Sequence, residues 1–313
     1  MFDLICLGNV TLDDVILPQG QVRSGCFGGD AIYAVLGGQL WSDGVRFVAP
    51  TGRDFPETMT EALRSSGLDC AGMPIRDLPV IRNSVQYREC GQRDWTLLSD
   101  PENFFPLSPA PADIPKQFLN SKAFLILAMD MEAQSNLAAY LASRNTLVAL
   151  DPQEDYIPGN EQELLNILQY VDIFMPSLAE VELLLKTNDV EHAAERLAAY
   201  GPKIIVIKLG TNGSLIYSAA DDRLIHIPMF TTDTIDTTGA GDSYCGGFMT
   251  VYARENNLIK AGLAGAVSAS FAVEGFGLSH MFHIDPADAR ERFNKLTSDF
   301  QQSFKEKKQD YDE

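Results

Sequence analysis

Basic residues are scarce in this sequence. Lysine and arginine number 24 against 43 aspartates and glutamates in 313 residues, which gives a formal net charge of −19. The one dense basic stretch is KEKK at residues 305–308. Nucleic acids and anionic membranes attract positive surfaces, so we expect neither to be a partner of so acidic a chain. A phosphorylated ligand would have to be held by local donors or by a metal ion.

Cysteine motifs and long apolar runs are also missing. The five cysteines include no Cys-x-x-Cys pair, and no apolar run approaches the roughly 18 residues of a membrane-spanning helix. Met1-Phe2-Asp3 leads straight into a predicted strand, so no secretion leader is expected. These features predict a cytoplasmic protein with reduced thiols. The dipeptide Gly-Lys is absent as well, which excludes a Walker A phosphate loop.

The chain does contain a regular alternation of short apolar runs and helix-period segments. That alternation predicts an α/β fold with a mostly parallel central sheet and helices on both faces. Ligands of such folds bind beyond the carboxyl ends of the strands. We predict one domain over residues 1–300, whose last helix covers Pro286–Leu296, followed by a polar tail at residues 301–313 that is a frayed helix or disordered.

One region interrupts the alternation and predicts a small β lid. Val80–Arg88 and Asp94–Leu98 have the composition of strands around a turn at Gly91, and no helix period occurs between them. We place the lid at about residues 74–100, together with an earlier segment at about residues 11–24. A lid of this kind would cover a substrate and exclude water.

The segment DTTGAGDSYCGGFM, Asp236–Met249, is the most informative in the chain. Gly239 and Gly241 permit a tight turn, and the first amides of the helix that follows have no internal partners. Such amides cradle an anion. The carboxylate of Asp242 stands beside this cradle, where it can accept a proton from a hydroxyl that attacks a phosphoryl group. The alternative is that Asp242 only caps a buried, glycine-packed helix.

This segment resembles the C-terminal signature of the ribokinase-type (PfkB) carbohydrate kinase family, and the resemblance extends over about residues 3–296. It implies a ribokinase-like fold and transfer of the ATP γ-phosphoryl group, with Mg²⁺, to a hydroxyl of a sugar or sugar-like alcohol. By the same resemblance, Gly239, Ala240 and Gly241 form the anion hole. Asp242 is then the catalytic base.

Two N-terminal segments resemble the family's acceptor-binding parts, GNVTLD at residues 8–13 and GCFGGDAIYA at residues 25–34. Thr11 and Tyr33 stand where relatives commonly carry asparagine, which makes ribose doubtful as the acceptor. The Gly28-Gly29 step by itself fits close helix packing equally well. Asp14 is an alternative to Asp13 as the aspartate that binds the acceptor. The resemblance implies that four residues face the acceptor: Asp13, Gly28, Gly29 and Asp30.

Two further segments resemble the family's nucleotide site. Glu180 would act on Mg²⁺ through water or on the phosphates, although Ser177-Leu-Ala-Glu180 also has the spacing of a capping box. The segment KLGTNG, residues 208–213, is by its pattern only a hairpin turn. The resemblance implies that five residues bind the nucleotide: Ser177, Glu180, Lys208, Gly210 and Gly213.

Several expectations rest on the resemblance alone. A monovalent cation such as K⁺ would bind Asp236 and the loop at residues 274–277. A homodimer through the lid is expected from relatives. Two rival functions also stand: a nucleoside kinase of the same fold, which an aromatic residue such as Tyr33 in the acceptor pocket would favour, and a catalytically silent relative that binds ligands or partners.

Overall fold

The computed structural model describes residues 1–17, 19–87, 93–144 and 146–309. Its strands are β1 Phe2–Leu7, β2 Thr11–Ile16, β3 Val22–Gly28, β4 Val45–Val48, β5 Thr51–Gly52, β6 Ile75–Arg76, β7 Ile81–Tyr87, β8 Arg93–Leu97, β9 Ser121–Ile126, β10 Leu147–Leu150, β11 Ile173–Phe174, β12 Ile204–Lys208, β13 Ser214–Ser218 and β14 Arg223–Ile227. Its α-helices are α1 Asp30–Gln39, α2 Glu57–Ser65, α3 Phe104–Leu107, α4 Met131–Ala142, α5 Glu161–Ile167, α6 Leu178–Leu185, α7 Val190–Ala198, α8 Ala240–Glu255, α9 Leu258–Ala272 and α10 Pro286–Gln309.

Eight strands form the central sheet, in the order β14-β13-β12-β11-β10-β9-β1-β4. The six strands from β4 to β12 pair in parallel, whereas the pairs β12–β13 and β13–β14 are antiparallel. In β1, Leu4 and Cys6 pack into the core on one face, while Ile5 and Leu7 pack into the core on the other. A strand covered on both faces is apolar along its whole length, which explains the short apolar runs. The predicted α/β fold is confirmed.

A second sheet carries the predicted lid strands, in the order β3-β2-β7-β8. The predicted strands Val80–Arg88 and Asp94–Leu98 correspond to β7 and β8; Arg88 and the predicted turn at Gly91 lie outside the described residues. The earlier segment is a hairpin of β2 and β3 that continues to Gly28, beyond the predicted limit at residue 24. β5 and β6, which were not predicted, pair with each other in a separate two-stranded sheet.

Helices α1 and α8 pack against each other with almost no side chain between them. A Cβ added to Gly37 would lie 2.5 Å from the carbonyl oxygen of Ser243, and one added to Gly246 would overlap the carbonyl of Ala34. The Ser243 hydroxyl donates a hydrogen bond of 3.1 Å to the Tyr33 carbonyl. A Cβ on Gly239, at the start of α8, would overlap the Tyr33 ring, and one on Gly38, further along α1, would lie 2.7 Å from the Thr250 hydroxyl. The two helices therefore begin on the same side of the molecule.

The last helix is longer than its predicted span. α10 continues from Pro286 to Gln309. Phe300, four residues after Leu296, is buried in the core, so the apolar period extends past the predicted end. The residues that follow are mostly lysine and glutamine, which are good helix formers. The rest of the predicted tail lies outside the described residues. No helix in the described part of the chain is long and apolar enough to span a membrane.

Candidate active site

The glycine turn at residues 239–241 begins helix α8. Gly239 is the N-cap residue with φ of 74°, a left-handed conformation that favours glycine. A Cβ there would also overlap the Tyr33 ring, which packs directly on the turn. Helix α8 begins at Ala240, so Asp242 is its third residue. A carboxylate in the first turn of a helix is stabilised by the helix dipole.

The start of α1 lies beside the start of α8, and it carries a second carboxylate. Asp30, the first residue of α1, accepts a hydrogen bond of 2.8 Å from the backbone N–H of Asn9. Burial raises the pKa of Asp30 well above its ordinary value, and the nearby negative charge of Asp242 raises it further. Gly29 precedes it with φ of 120°, and a Cβ added there would overlap the Asn9 carbonyl oxygen. The Asn9–Asp30 hydrogen bond therefore connects the segment after β1 to the start of α1, close to Asp242 at the start of α8.

The acceptor side contains a buried pair that joins β2 to β7. The Asn83 side-chain amide donates a hydrogen bond of 2.9 Å to Asp13, and Asp13 is adjacent to Asn83 in the parallel ladder of the two strands. A Cβ on Gly28 would overlap the second carboxylate oxygen of Asp13. The neighbour Asp14 accepts from the backbone N–H of Gly25 at 3.0 Å and so holds the β2–β3 hairpin. Of the two aspartates, Asp13 is therefore the better candidate for binding the acceptor.

A buried ion pair lies under the glycine turn. The Lys208 ammonium is 2.5 Å from an Asp151 carboxylate oxygen, with side chains only 14% and 5% exposed. Burial lowers the pKa of Lys208, but the neighbouring groups Asp151, Cys245 and Glu180 together outweigh burial, and the pKa is raised. The same ammonium lies 3.4 Å from the position of a Cβ on Gly241. The cation of Lys208 thus supports the turn that is predicted to hold the transferred phosphate.

Glu180 has the local role that its spacing predicts. Its carboxylate accepts from the Ser177 backbone N–H at 2.5 Å, and its own N–H donates to the Ser177 hydroxyl at 3.2 Å, which is a complete capping box for α6. Burial raises the pKa of Glu180 to about 7, while Lys208 lowers it and Asp151 raises it. Capping does not exclude a role at the nucleotide, because the carboxylate also lies beside the Lys208 ion pair.

The raised pKa of Glu180 predicts a specific pH dependence of stability. The folded protein holds this proton up to about pH 7, whereas the unfolded chain releases it near 4.5, so the free energy of unfolding falls as pH rises through that window. Glu180→Gln keeps an oxygen for the Ser177 N–H and removes the ionisation. We expect urea unfolding to show the variant gaining stability over the wild type between about pH 4.5 and 7.

Glu182→Gln is the matched control, because Glu182 is an exposed residue of the same helix. It is expected to shift the unfolding midpoint by a small amount that does not change with pH. If the free energy of unfolding depended on pH in the same way in the wild type and in Glu180→Gln, the raised pKa of Glu180 would be contradicted.

The remaining nucleotide residues form the predicted turn. Gly210 and Gly213 both have positive φ, of 58° and 80°, and the Leu209 N–H donates to the Gly213 carbonyl at 2.8 Å. The turn therefore joins β12 to β13, and its contact with a nucleotide stays a prediction. Among the described residues, no group of three or more His, Cys, Asp or Glu is arranged to hold a metal ion.

Sequence reasoning missed several residues that the fold brings to this region: Asn9, Asn83, Tyr87 and Asp151. Asp151 directly follows β10, and a polar residue just after a buried strand was a signal that could have found it. The lid residues gave no such local signal. Tyr33, which would favour a nucleoside if it entered the acceptor pocket, instead packs its ring on Gly239 and is 2% exposed.

Comparison with known proteins identifies clear relatives. The sequence profile described as pfkB family carbohydrate kinase matches residues 4–284. A protein of Thermococcus kodakarensis named cytidine kinase is 31% identical over 259 residues, which cover 81% of this chain and 90% of that protein. The solved nucleoside kinase of Methanocaldococcus jannaschii, an archaeal member of the ribokinase family, is 23% identical with a TM-score of 0.76, over 94% of this chain and 99% of that one. An E. coli structure in complex with ATP and Mg²⁺ is 17% identical with a TM-score of 0.75, over 94% and 100% of the two chains.

Proposed function

This chain belongs to the pfkB family of carbohydrate kinases, and we propose that within this family it transfers the γ-phosphoryl group of ATP to a sugar hydroxyl of a nucleoside. Transfer to a sugar or sugar-like alcohol is the activity that the family and the named relatives share, as the sequence predicts. The choice of a nucleoside and the roles of individual residues are the proposed parts.

One observation supports the catalytic assignment most directly. Asp242 is the third residue of α8, immediately after a left-handed glycine turn, and this helix start lies beside the start of α1. In our proposal the backbone amides at residues 239–241 hold the charge that develops on the transferred phosphoryl group. The carboxylate of Asp242 then accepts the proton of the attacking hydroxyl.

The nucleotide side has a donor set that suits phosphates. The buried Lys208 ammonium stands next to Gly241 and is proposed to contact a phosphate oxygen. The carboxylates of Glu180 and Asp151 lie beside it and suit a Mg²⁺ ion that keeps its water shell and binds mainly through the phosphates. Such an ion would neutralise charge on the phosphates of ATP.

The acceptor side has buried oxygens that suit hydroxyl donors. Asn83 and Asn9 are 4% and 2% exposed, and their amide oxygens have no hydrogen-bond partner among the described residues. A buried acceptor without a partner costs about 1–3 kcal/mol. Asn83 donates its amide to Asp13, which directs its oxygen away from Asp13. Sugar hydroxyls would satisfy these oxygens, and Asp13 and Gly28 would lie beside them.

The inner face of the lid favours an acceptor with an apolar part. Val85, two residues after Asn83 on β7, is buried, and Trp95 stands directly opposite it on β8 with 40% of its surface exposed. Leu97 is opposite Asn83 on the same face. A free sugar would leave this surface uncovered, whereas the base of a nucleoside would pack on it. The relative named cytidine kinase supports the same choice.

A panel of acceptors tests the proposal. ADP release from Mg²⁺-ATP would be measured with ribonucleosides, deoxyribonucleosides, free sugars and polyols, and the product identified by mass spectrometry. We expect nucleosides to give kcat/KM at least about tenfold above that of free ribose, since burying the base adds roughly 1.5–3 kcal/mol. Trp95→Ala should remove most of this preference. Turnover with free sugars alone would contradict the nucleoside assignment.

Other expectations stay predictions. The Asp236 carboxylate already accepts hydrogen bonds from the Thr238 N–H at 2.8 Å and the Gly277 N–H at 3.4 Å, so K⁺ would have to share these oxygens with donors. Substrate positions for Gly29 and Asp30 and a homodimer through the lid are likewise proposed on the resemblance. A cytoplasmic location is proposed on the cysteine usage and the lack of long apolar runs in the sequence.

A further inference from the structure

The lid and the glycine turn are joined by one tyrosine. Tyr87 is the last residue of β7, and its side chain is 8% exposed. Its hydroxyl donates a hydrogen bond to the Asp236 carboxylate and lies 2.5 Å from the Thr238 hydroxyl. Thr238 immediately precedes Gly239, the N-cap of α8. A lid side chain therefore contacts the segment that leads into the proposed anion hole.

Asp236 ties this segment to the rest of the molecule. One carboxylate oxygen accepts from the Thr238 N–H at 2.8 Å, and the other accepts from the Gly277 N–H at 3.4 Å. The Asp236 backbone N–H donates to the Val273 carbonyl at 3.2 Å. Asp236 is 4% exposed, and a buried carboxylate needs donors. The Tyr87 hydroxyl is the donor that comes from the lid.

A second contact holds the same edge of the lid in place. The Tyr87 ring meets the Phe276 ring edge-on, with centroids 6.3 Å apart. The Arg23 guanidinium of β3 lies over the Phe276 ring, 5.2 Å from its centroid. The ring contacts keep Tyr87 on the loop after α9, so the position of its hydroxyl does not depend on the hydrogen bonds alone.

We propose that Tyr87 is a positioning residue, which fixes the Asp236–Thr238 segment and through it the Gly239–Gly241 turn when the lid is closed. The lid then does more than cover the acceptor. It supplies the hydroxyl that orders the phosphate-binding amides, so the turn is fully ordered only in the closed arrangement. Tyr87 does not touch the transferred group in this scheme. The role rests on the proposed function of the turn as an anion hole.

Tyr87→Phe tests the proposal because it keeps the ring and removes only the hydroxyl. Loss of a hydrogen bond to a charged group changes a rate by about tenfold or more. We expect kcat for transfer to fall about tenfold, with the KM for the acceptor within about twofold of the wild type. Slow hydrolysis of Mg²⁺-ATP without acceptor should fall in parallel, because water attack uses the same turn.

Hydrogen exchange gives a readout that needs no acceptor. In the ligand-free protein, the amides at residues 237–241 should exchange about tenfold faster in Tyr87→Phe than in the wild type. Thr238→Val should also lower kcat and speed the exchange at residues 237–241. Thr238→Ser keeps a hydroxyl, so both changes should be smaller in it than in Thr238→Val. Tyr217→Phe is the matched control, because its hydroxyl donates to Asp222 at 3.0 Å in the β13–β14 hairpin.

The outcomes separate this inference from the proposed function. Unchanged exchange at residues 237–241 in Tyr87→Phe overturns the positioning role, whatever the activity. Faster exchange with wild-type kcat and wild-type ATP hydrolysis also overturns it, since the contact would then be only structural. Faster exchange with reduced ATP hydrolysis supports it even if no nucleoside is phosphorylated, in which case only the acceptor assignment fails.

Discussion

Replacing Asp242 with asparagine is expected to lower kcat by about 10²–10⁴-fold, the usual contribution of a positioned general base. The amide cannot accept the proton of the acceptor hydroxyl, although it occupies the same space. The folded structure should persist, because one carboxylate in the first turn of a helix contributes only about 0.3–1 kcal/mol. Steady-state kinetics with the best acceptor of the panel, combined with thermal unfolding, measures both effects.

Asp189→Asn is a suitable control for this experiment. Asp189 is an exposed N-cap residue that accepts from the His192 N–H at 3.1 Å at the start of α7. Its replacement removes charge from a helix start in the same way and should leave kcat within about twofold of the wild type. If Asp242→Asn retained comparable activity, Asp242 would be only a helix-start residue, and the base would have to be sought elsewhere.

The second large effect is expected for Lys208→Met, which removes one partner of a buried ion pair. The Asp151 carboxylate would then be left buried beside Cys245, with its charge uncompensated. Breaking such a pair typically costs about 3–5 kcal/mol of unfolding free energy, which urea unfolding would detect. We also expect transfer to be lost, because the cation beside Gly241 is proposed to contact a phosphate.

A double variant separates the two effects of Lys208. Lys208→Met combined with Asp151→Asn removes the uncompensated charge, so most of the stability should return. Activity should not return, since the ammonium is still missing and the Asp151 carboxylate that is proposed to serve Mg²⁺ is lost as well. Recovery of activity together with stability would show that Lys208 is purely structural. Lys203→Met is the control, because the exposed Lys203–Asp172 pair contributes at most about 1 kcal/mol.

The local parts of the site could be predicted from the sequence. Gly239 and Asp242 lie within four residues, and the requirement for a left-handed turn before a helix is visible in the residue types alone. The Ser177–Glu180 capping box is equally local, and its spacing predicted the observed hydrogen bonds. The glycines of α8 predicted a buried, closely packed helix, and the structure confirms it.

The parts that were missed depend on contacts between distant positions. Asn83 meets Asp13 across 70 residues of sequence, and Asp151 meets Lys208 across 57. Neither pairing has a local pattern, because the register of β7 against β2 and the order of the central strands decide which side chains meet. Once that register is given, the alternation of buried and exposed residues along β7 identifies its inner face. The length of α10 was missed for a different reason, since Phe300 continues the apolar period beyond the predicted end at Leu296 and helix-favouring lysine and glutamine follow it.

The close contact between α1 and α8 limits where this protein can diversify. Because main chain touches main chain at Gly37 and Gly246, any larger residue would push the two helix starts apart and lengthen the path over which the phosphoryl group travels. Val85, Trp95 and Leu97 lie on the lid strands, outside this contact between main chains, so a change in their size does not move the two helix starts. A change of preferred acceptor should therefore arise by substitutions in the lid, while the helix pair is inherited as a fixed unit. Directed libraries aimed at new acceptors should vary the lid and leave these glycines alone.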